Sequence, residues 1–314
     1  MGLWRARQAT VNRDVFPAGP CAGAGQSATT ARSPPASETG MTTAPDTKVR
    51  MAELTGAEAR ALYPSNPVVL LPMGSHEDQG PHAPMGDFLS ADAMAGRIAR
   101  RAEQSGVRTV VAPVLPFGGA DYFGSSPGGI CLTQSTLRAV LSDMLGCLVR
   151  HGLTRLIVIN GHGGNVQAIH DATQPFWTQR QILIPSFYLW RVGYGLLPGI
   201  VGEAKAKLAA GHGADPLTSV AMHLFPDLVR PDLIPDPEPL QQIMGMPATA
   251  FGVARFEGAE IAVPVEYHEI APLGVRAGDA RLCSPETGAA LVEQLTDLGG
   301  RFVAHYARHN PAVG

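Results

Sequence analysis

One loop of the sequence, residues 73–87, concentrates side chains that bind metal ions. Its letters are MGSHEDQGPHAPMGD, and the potential ligands within it are His76, Glu77, Asp78, His82 and Asp87. Imidazole and carboxylate groups together suit Zn, Mn or Fe ions. Pro81 and Pro84 fix their own backbone φ angles and so stiffen the loop. The composition predicts a metal site, and the alternative is a solvated polar turn that contains two histidines by chance.

A second loop places a histidine between glycines. Residues 160–165 read NGHGGN and directly follow an apolar run. Small neighbours let the backbone around His162 approach a metal or ligand closely. A phosphate-binding turn at a helix N-terminus is the alternative, but the Lys and Ser/Thr of a P-loop do not follow. Because ligand sites of open α/β sheets lie beyond the carboxyl ends of the strands, we expect His162 to meet Glu77 and Asp87 there.

A third cluster pairs His212 with Asp215. His212 follows a glycine in a loop before a predicted helix, within the sequence GHGADPLTSVAMHL. An imidazole in that position can be a metal ligand or a general base. An exposed loop histidine without a chemical role has the same local sequence. The residues alone leave these possibilities open.

Apolar runs alternate with amphipathic segments, which predicts an α/β fold with a mostly parallel sheet and helices on both faces. The predicted strands span residues 68–71, 109–114, 155–160 and 182–189. The predicted helix starts are Thr55 (with Glu58 completing a capping box), Ser90 or Asp92, Thr133 and Ser284. Residues 226–268 are rich in proline and are expected to be irregular, with short strand-like pieces. The two metal-type loops follow the first and third strands.

The composition favours a cytoplasmic enzyme or binding protein. The 314 residues are 45% hydrophobic and 16% charged, which allows a sizeable core. The net charge of -3 and the lack of a basic stripe argue against a nucleic-acid partner. No apolar run approaches the roughly 20 residues of a membrane-spanning helix, so no membrane partner is expected. Residues 1–50 are expected to be a disordered tail, followed by a single domain over residues 51–314.

Taken in order, the three clusters resemble the creatininase (creatinine amidohydrolase) family over about Glu53–Leu298. Residues 74–87 resemble the family motif G-S-x-E-Q-H-G-P-H-L-P-x-x-x-D, with one residue fewer before the aspartate. Residues 126–129 resemble its F-P-G-T segment, and N-G-H-G-G-N stands unchanged at 160–165. Residues 212–224 are similar to its H-x-G-x-x-E-T-S-x-M-L motif.

The resemblance implies a three-layer α/β sandwich with a metal site, commonly binuclear, at the carboxyl edge of the sheet. It implies hydrolysis of C–N bonds in cyclic or small amides, and a homo-oligomer such as a hexamer. Glu77 and His162 would bind the first metal, and Asp87 would bridge to the second. His212 matches the histidine that acts near the substrate. The remaining candidate substrate-binding residues are His82, Gly128, Gly163, Asn165 and Asp215.

Three departures from the family pattern concern the second metal. Gln79 stands where the family has a histidine ligand, and Gly164 and Leu217 stand where members carry glutamates. We therefore expect one divalent metal per chain, with Asp215 or His82 as the remaining candidates for a second site. Gln79 is expected to hydrogen-bond the attacking water or the substrate, and so to act beside His212 in catalysis.

The predicted function is hydrolysis of a C–N amide bond in a small polar cyclic substrate by metal-activated water. One alternative is a hydrolase that opens the ring of an oxidised inositol such as 3-dehydro-scyllo-inosose. A second alternative is a metal-binding paralogue without catalytic activity. Retention of Glu77, Asp87, His162 and His212 argues against the non-catalytic alternative.

Overall fold

The computed structural model describes residues 47–119 and 126–310. The chain divides after Pro45, and the described residues belong to the unit Asp46–Gly314. Most of the predicted tail lies outside the described residues, but its last four residues are described and Val49 is buried among them. Val49 is 2% exposed, and its carbonyl accepts a 2.7 Å hydrogen bond from the Val111 amide. Val49 therefore packs in the core of the described unit, and the predicted division into a tail and a domain near residue 50 stays a prediction.

The described residues contain nine α-helices and eight strands, besides short 3-10 turns. The helices are α1 Gly56–Leu62, α2 Phe88–Gln104, α3 Gln134–Arg150, α4 Val166–Arg180, α5 Leu189–Val201, α6 Glu203–Ala209, α7 Leu217–Leu224, α8 Tyr267–Ile270 and α9 Pro285–His309. The strands are β1 Val68–Met73, β2 Thr109–Val111, β3 Leu156–Asn160, β4 Ser186–Tyr188, β5 Gln242–Ile243, β6 Met246–Ala250, β7 Val253–Phe256 and β8 Ala259–Ala262. The predicted capping box of α1 is present: Thr55 and Glu58 each bond the other's backbone amide.

The central sheet has the strand order β2-β1-β3-β4, and all its neighbouring strands are parallel. Its registers pair Met73 with Asn160 and Asn160 with Tyr188. The last residues of three strands therefore lie side by side at one edge. This arrangement confirms the predicted α/β fold with a parallel sheet, and it brings the loops after β1, β3 and β4 together.

Every β1 side chain is buried because helices cover both faces of this sheet. Val68 and Leu70 pack in a core formed with α2, α5, α7 and α9. Val69, Leu71 and Met73 point to the other face and pack with α3 and α4. Successive strand residues face opposite sides, so an unbroken apolar run contributes to two cores. Each such side chain contributes roughly 1.5–3 kcal/mol when fully buried. The three-layer architecture is confirmed.

Helix α2 begins earlier than predicted. Its N-cap residue is Asp87, whereas the sequence suggested Ser90 or Asp92. The Asp87 side chain does not cap the helix, because its Oδ1 accepts a 2.7 Å hydrogen bond from the Ser75 amide. Ser75 follows β1 directly. Asp87 is thus fixed between the end of a central strand and the start of a helix.

A second, antiparallel sheet occupies residues 242–262, where the sequence predicted irregular structure. Its strand order is β5-β6-β7-β8. Two of its turns have positive φ at both central residues, Met244–Gly245 and Glu257–Gly258. Such turns usually carry Asn-Gly or Asp-Gly, so these hairpins lacked their usual sequence signal. The β6–β7 turn contains Phe251, whose ring centroid lies 5.5 Å from that of His212.

No helix within residues 47–119 and 126–310 has the length and apolarity needed to cross a bilayer.

Candidate metal centre

The structure brings together the three residues predicted as metal ligands: Glu77, Asp87 and His162. One ligand atom from each lies within 4.8 Å of the other two. His162 Nδ1 is 3.1 Å from Glu77 Oε2 and 3.4 Å from Asp87 Oδ2. All three residues are buried, with no more than 2% exposure. No other such group of three His, Cys, Asp or Glu residues occurs in the described part of the chain.

Hydrogen bonds hold the Asp87 side chain and the His162 backbone in place. The Ser75 amide holds Asp87 Oδ1, which leaves Oδ2 on the side of His162. Asn160 fixes the backbone at His162: its side chain accepts from the His162 amide at 3.0 Å and donates to the His162 carbonyl at 2.7 Å. A side chain at position 74 would not fit, because its Cβ would lie 2.5 Å from Asp87 Oδ1. The sequence pattern thus positions the ligands through strand ends and the loop backbone.

The His162 tautomer follows from its other nitrogen. Nε2 lies 3.3 Å from the Gly119 carbonyl oxygen, which can only accept a hydrogen bond. Nε2 therefore carries the proton, and Nδ1 is the nitrogen that faces both carboxylates in the neutral imidazole. A metal-binding histidine commonly donates its second N–H to a backbone carbonyl in this way.

Burial and the charges of their neighbours shift the pKa values of all three predicted ligands. Burial raises the pKa of Asp87 to about 7, and the negative charge of Glu77 adds to this effect. Burial also opposes ionisation of Glu77, but the charge of His162 outweighs it and lowers the pKa of Glu77. The two carboxylates likewise overcome the burial of His162 and raise its pKa well above the usual value. The site favours positive charge next to its two carboxylates.

The donor set fits a divalent transition metal. Glu77 Oε2 is shielded from solvent and lies 3.1 Å from His162 Nδ1, the metal-binding nitrogen of the neutral ring. Burying two ionised carboxylates is costly, and a dication bound by them and the imidazole offsets that cost. Two carboxylates and one imidazole suit Zn, Mn or Fe, and three protein ligands leave a position open for water.

Gln79 lies against Glu77. Its Nε2 donates a 2.7 Å hydrogen bond to Glu77 Oε1, so its amide orients one of the predicted ligands. Its Oε1 is buried without a hydrogen-bond partner among the described residues, and Gln79 lines the cavity next to the ligands. The amide oxygen is available to accept a hydrogen bond from a bound molecule.

His212 lies across the same cavity from the ligands. Its Nε2 is 2.9 Å from the Asp78 carbonyl oxygen, so Nε2 carries the proton and Nδ1 is the basic nitrogen of the neutral ring. The ring centroid lies 4.7 Å from that of Tyr267. Burial lowers the pKa of His212 despite the opposing charge of Glu77. His212 is therefore neutral at pH 7, as a general base must be.

The cavity has a volume of about 290 Å³, near the lower end of small-molecule sites. The three ligands, Gln79, His212 and Gly163 line it. Aromatic side chains that the sequence analysis did not single out complete it: Tyr188, Trp190, Tyr194 and Phe251. No Lys or Arg is among its described lining residues. Trp190 Nε1 is shielded from solvent and hydrogen-bonds to no described residue.

Four predicted substrate-binding residues do not line this cavity. His82 and Asp215 are at most 1% exposed, and His82 Nε2 lies 3.3 Å from Thr218 Oγ1. Asn165 braces two loops by accepting from the Gly119 amide at 2.9 Å and donating to the Gly74 carbonyl at 3.0 Å. Gly128 lies in an exposed turn with φ +81°. Their positions support structural roles, and neither His82 nor Asp215 belongs to a second group of metal ligands.

Comparisons with known proteins agree with this fold. The creatininase family model, described as creatinine amidohydrolase, matches residues 52–303. In fold, the chain is similar to a creatininase mutant complexed with creatine, with a TM-score of 0.68 and 24% identity over 84% of this chain and 100% of that chain. Creatininase structures of a Zn–Zn type and with Mn have a TM-score of 0.66 each, also at 24% identity over 84% of this chain. The match covers 99% and 100% of those chains.

Three relatives in sequence are named for different activities. The chain is 31% identical to the mycofactocin precursor peptide peptidase of Mycolicibacterium smegmatis over 55% of this chain and 64% of that protein. The match therefore spans less than two thirds of that peptidase. Identity is 28% with the creatinine amidohydrolase of Pseudomonas putida, over 61% of this chain and 77% of that protein. It is 25% with the 3-dehydro-scyllo-inosose hydrolase of Thermotoga maritima, over 85% of this chain and 86% of that protein.

Proposed function

The chain belongs to the creatininase family of amidohydrolases, and we propose that it is a metal-dependent hydrolase that cleaves a C–N amide bond in a small, uncharged, polar cyclic substrate. One observation carries this proposal: three buried metal-type ligands and a neutral, half-buried histidine line one cavity. The small volume supports a compact substrate. The lack of a lysine or arginine among the described lining residues disfavours an anionic one.

The residues divide the reaction between them. Glu77, Asp87 and His162 would hold a divalent ion, which supplies Lewis acidity and lowers the pKa of water. His212 Nδ1 accepts the proton of the attacking water as the C–O bond forms, and it returns that proton to the leaving nitrogen as the C–N bond breaks. Gln79 Oε1 accepts a hydrogen bond from a substrate N–H. The aromatic side chains enclose the substrate and exclude bulk water.

One tightly held metal per chain is the stoichiometry that we propose. The second metal of the family pattern would need donors at positions 79, 164 and 217. Gly164 and Leu217 have no side-chain donor, and Gln79 offers only a neutral amide oxygen, a weaker ligand than imidazole for such ions, while its amide nitrogen donates to Glu77. Elemental analysis of extensively dialysed protein tests this count. A value near one metal per chain supports the proposal, and two fully occupied sites contradict it.

The reaction itself is tested with the metal-loaded enzyme and a substrate panel. The panel contains creatinine, other cyclic amides of five- and six-membered rings, short peptide amides and 3-dehydro-scyllo-inosose. We expect turnover of a cyclic amide, and loss of that turnover in Glu77→Gln. Metal binding without turnover of any panel member would favour the non-catalytic paralogue.

Peptide amide hydrolysis is a second candidate. It is supported by the similarity to the mycofactocin precursor peptide peptidase and by the aromatic side chains along the cavity. Ring opening of an oxidised inositol is a third candidate, supported by the relative whose match covers most of both chains. The panel separates the three, since each predicts turnover of a different member. The cytoplasmic location and the homo-oligomeric state, including a hexamer, stay predictions.

A further inference from the structure

Arg276 is a buried cation with no ion-pair partner among the described residues. Its side chain is 6% exposed, and no described carboxylate forms an ion pair with it. Two of its guanidinium nitrogens, Nε and Nη2, are shielded from solvent and hydrogen-bond to no described residue. Burial lowers the pKa of Arg276 as a result. Buried charges in proteins are normally paired, so an unpaired arginine indicates a missing partner.

A second cavity, separate from the metal centre, reaches this arginine. Its volume is about 370 Å³, and Arg276 is one of its lining residues. Apolar side chains line part of the remaining space, including Leu208, Ile270 and Leu273. Leu208 is 62% exposed and Leu273 is 43% exposed, although both are large and apolar. The cavity thus combines an uncompensated positive charge with uncovered hydrocarbon.

Acidic side chains at the cavity limit the charge of a ligand. Asp236 and Asp279 line it, and both are paired with Arg281, at 2.8 and 2.9 Å. Glu238 also lines it and makes no ion pair with a described residue. These groups repel a dianion such as phosphate more than a monoanion. A single carboxylate on an apolar body matches the site, because a guanidinium binds a planar carboxylate through charge-assisted hydrogen bonds.

We propose that this second cavity binds a small monocarboxylate, with the carboxylate at Arg276 and the hydrocarbon body against Leu208, Ile270 and Leu273. The site lies directly behind the candidate general base. The Arg276 amide donates a 2.9 Å hydrogen bond to the His212 carbonyl. The ring centroid of Tyr267 lies 4.7 Å from that of His212. The bound carboxylate replaces the missing counter-charge of the arginine.

Calorimetric titration of the metal-loaded protein at pH 7 tests the proposal. The probes are 3-methylbutanoate and benzoate, each compared with its neutral amide, and inorganic phosphate. We expect the carboxylates to bind, and the amides and phosphate to bind much more weakly. Equal binding of an acid and its amide would overturn the proposal.

Variants locate the binding. In Arg276→Met, the carboxylate Kd should rise roughly 10- to 100-fold, and Arg276→Lys should give an intermediate loss. Arg230→Met is the matched control, because Arg230 is exposed and pairs with Asp232. Glu77→Gln excludes binding at the metal centre: binding must survive in this variant, whether or not it retains metal. Unchanged affinity in Arg276→Met, or lost binding in Glu77→Gln, would refute the assignment.

Discussion

The two sides of the main cavity are built in different ways. The ligand side consists of Glu77, Asp87 and His162, which follow β1 and β3 and are held by hydrogen bonds to nearby residues of the same strand-end loops. The aromatic side consists of Tyr188, Trp190, Tyr194 and Phe251, which come from β4, α5 and the turn of a separate sheet. The ligand side depends on short local motifs, and the aromatic side depends on the packing of distant segments.

This difference assigns separate tasks to the two sides. Metal binding needs fixed donor atoms within a few tenths of an ångström, which backbone hydrogen bonds near strand ends provide. Substrate selection needs shape and a few polar contacts, which rings from several elements provide. Changes on the ligand side should therefore affect metal content and kcat. Changes on the aromatic side should affect mainly KM.

The largest effect is expected from Glu77→Gln. The substitution keeps the shape of the side chain but removes a negative charge from the ligand set, so tight metal binding and activity should both be lost. Metal content after dialysis and turnover are the measurements. Glu260→Gln, at an exposed position, is the matched control and should retain both. A metal-loaded Glu77→Gln protein would break the division between the two sides.

The next effect concerns His212, which lies beside the aromatic side but is assigned to the chemistry. In His212→Ala, kcat should fall by about 10²–10⁴, because a positioned acid/base is lost. Metal content should not change, since His212 is not among the converging ligand atoms. The exposed His223→Ala variant is the control. Loss of metal in His212→Ala would make His212 a ligand.

A smaller effect is expected from Trp190→Phe. An aromatic ring is kept, but the indole becomes a smaller phenyl ring and the unpaired Nε1–H is lost. KM should rise roughly 2- to 10-fold, the value of one hydrogen bond to a neutral group, with kcat and metal content unchanged. Trp177→Phe on α4 is the matched control, since Trp177 does not line the cavity. If kcat fell instead of KM rising, the aromatic side would share in the chemistry.

The smallest effect is a displacement of the pH profile. Burial lowers the pKa of His212, so its neutral, active form persists to lower pH than for an exposed histidine. Activity should therefore fall only as the pH drops below about 6.5, the ordinary histidine value. The pH dependence of kcat/KM measures this limb, which Trp190→Phe should leave in place. A midpoint above 6.5 would mean that Glu77 dominates over burial.

The sequence was sufficient for the ligand side because each ligand belongs to a local pattern. The apolar run of β1 predicted a buried strand, and both metal-type loops follow central strands of one parallel sheet. The register of β1 and β3 then places the two loops next to each other, since Met73 and Asn160 pair directly. Periodicity and the strand-end rule together therefore predicted the convergence of Glu77, Asp87 and His162.

The aromatic side could be predicted only in part. Tyr188 ends β4 and pairs with Asn160, so the strand-end rule alone points to it. Phe251 gave no such signal, because its sheet uses unusual turn residues and short exposed strands. For Asp215 and His82 the residue types predicted a ligand or substrate role, but neither side chain lines the cavity. Both are buried by tertiary packing around α7, which no local pattern reveals.

Asn160 also sets a limit on the chemical lifetime of the protein. Asn160–Gly161 is the dipeptide type most prone to deamidation, and Asn is a thermolabile residue. In the folded protein, three hydrogen bonds hold its side chain, two to His162 and one from Asn165. Unfolding releases it, and an aspartate formed there would face the His162 carbonyl with an acceptor instead of a donor. Heat inactivation should therefore become irreversible with time at high temperature, with aspartate at position 160 detectable by peptide mass spectrometry.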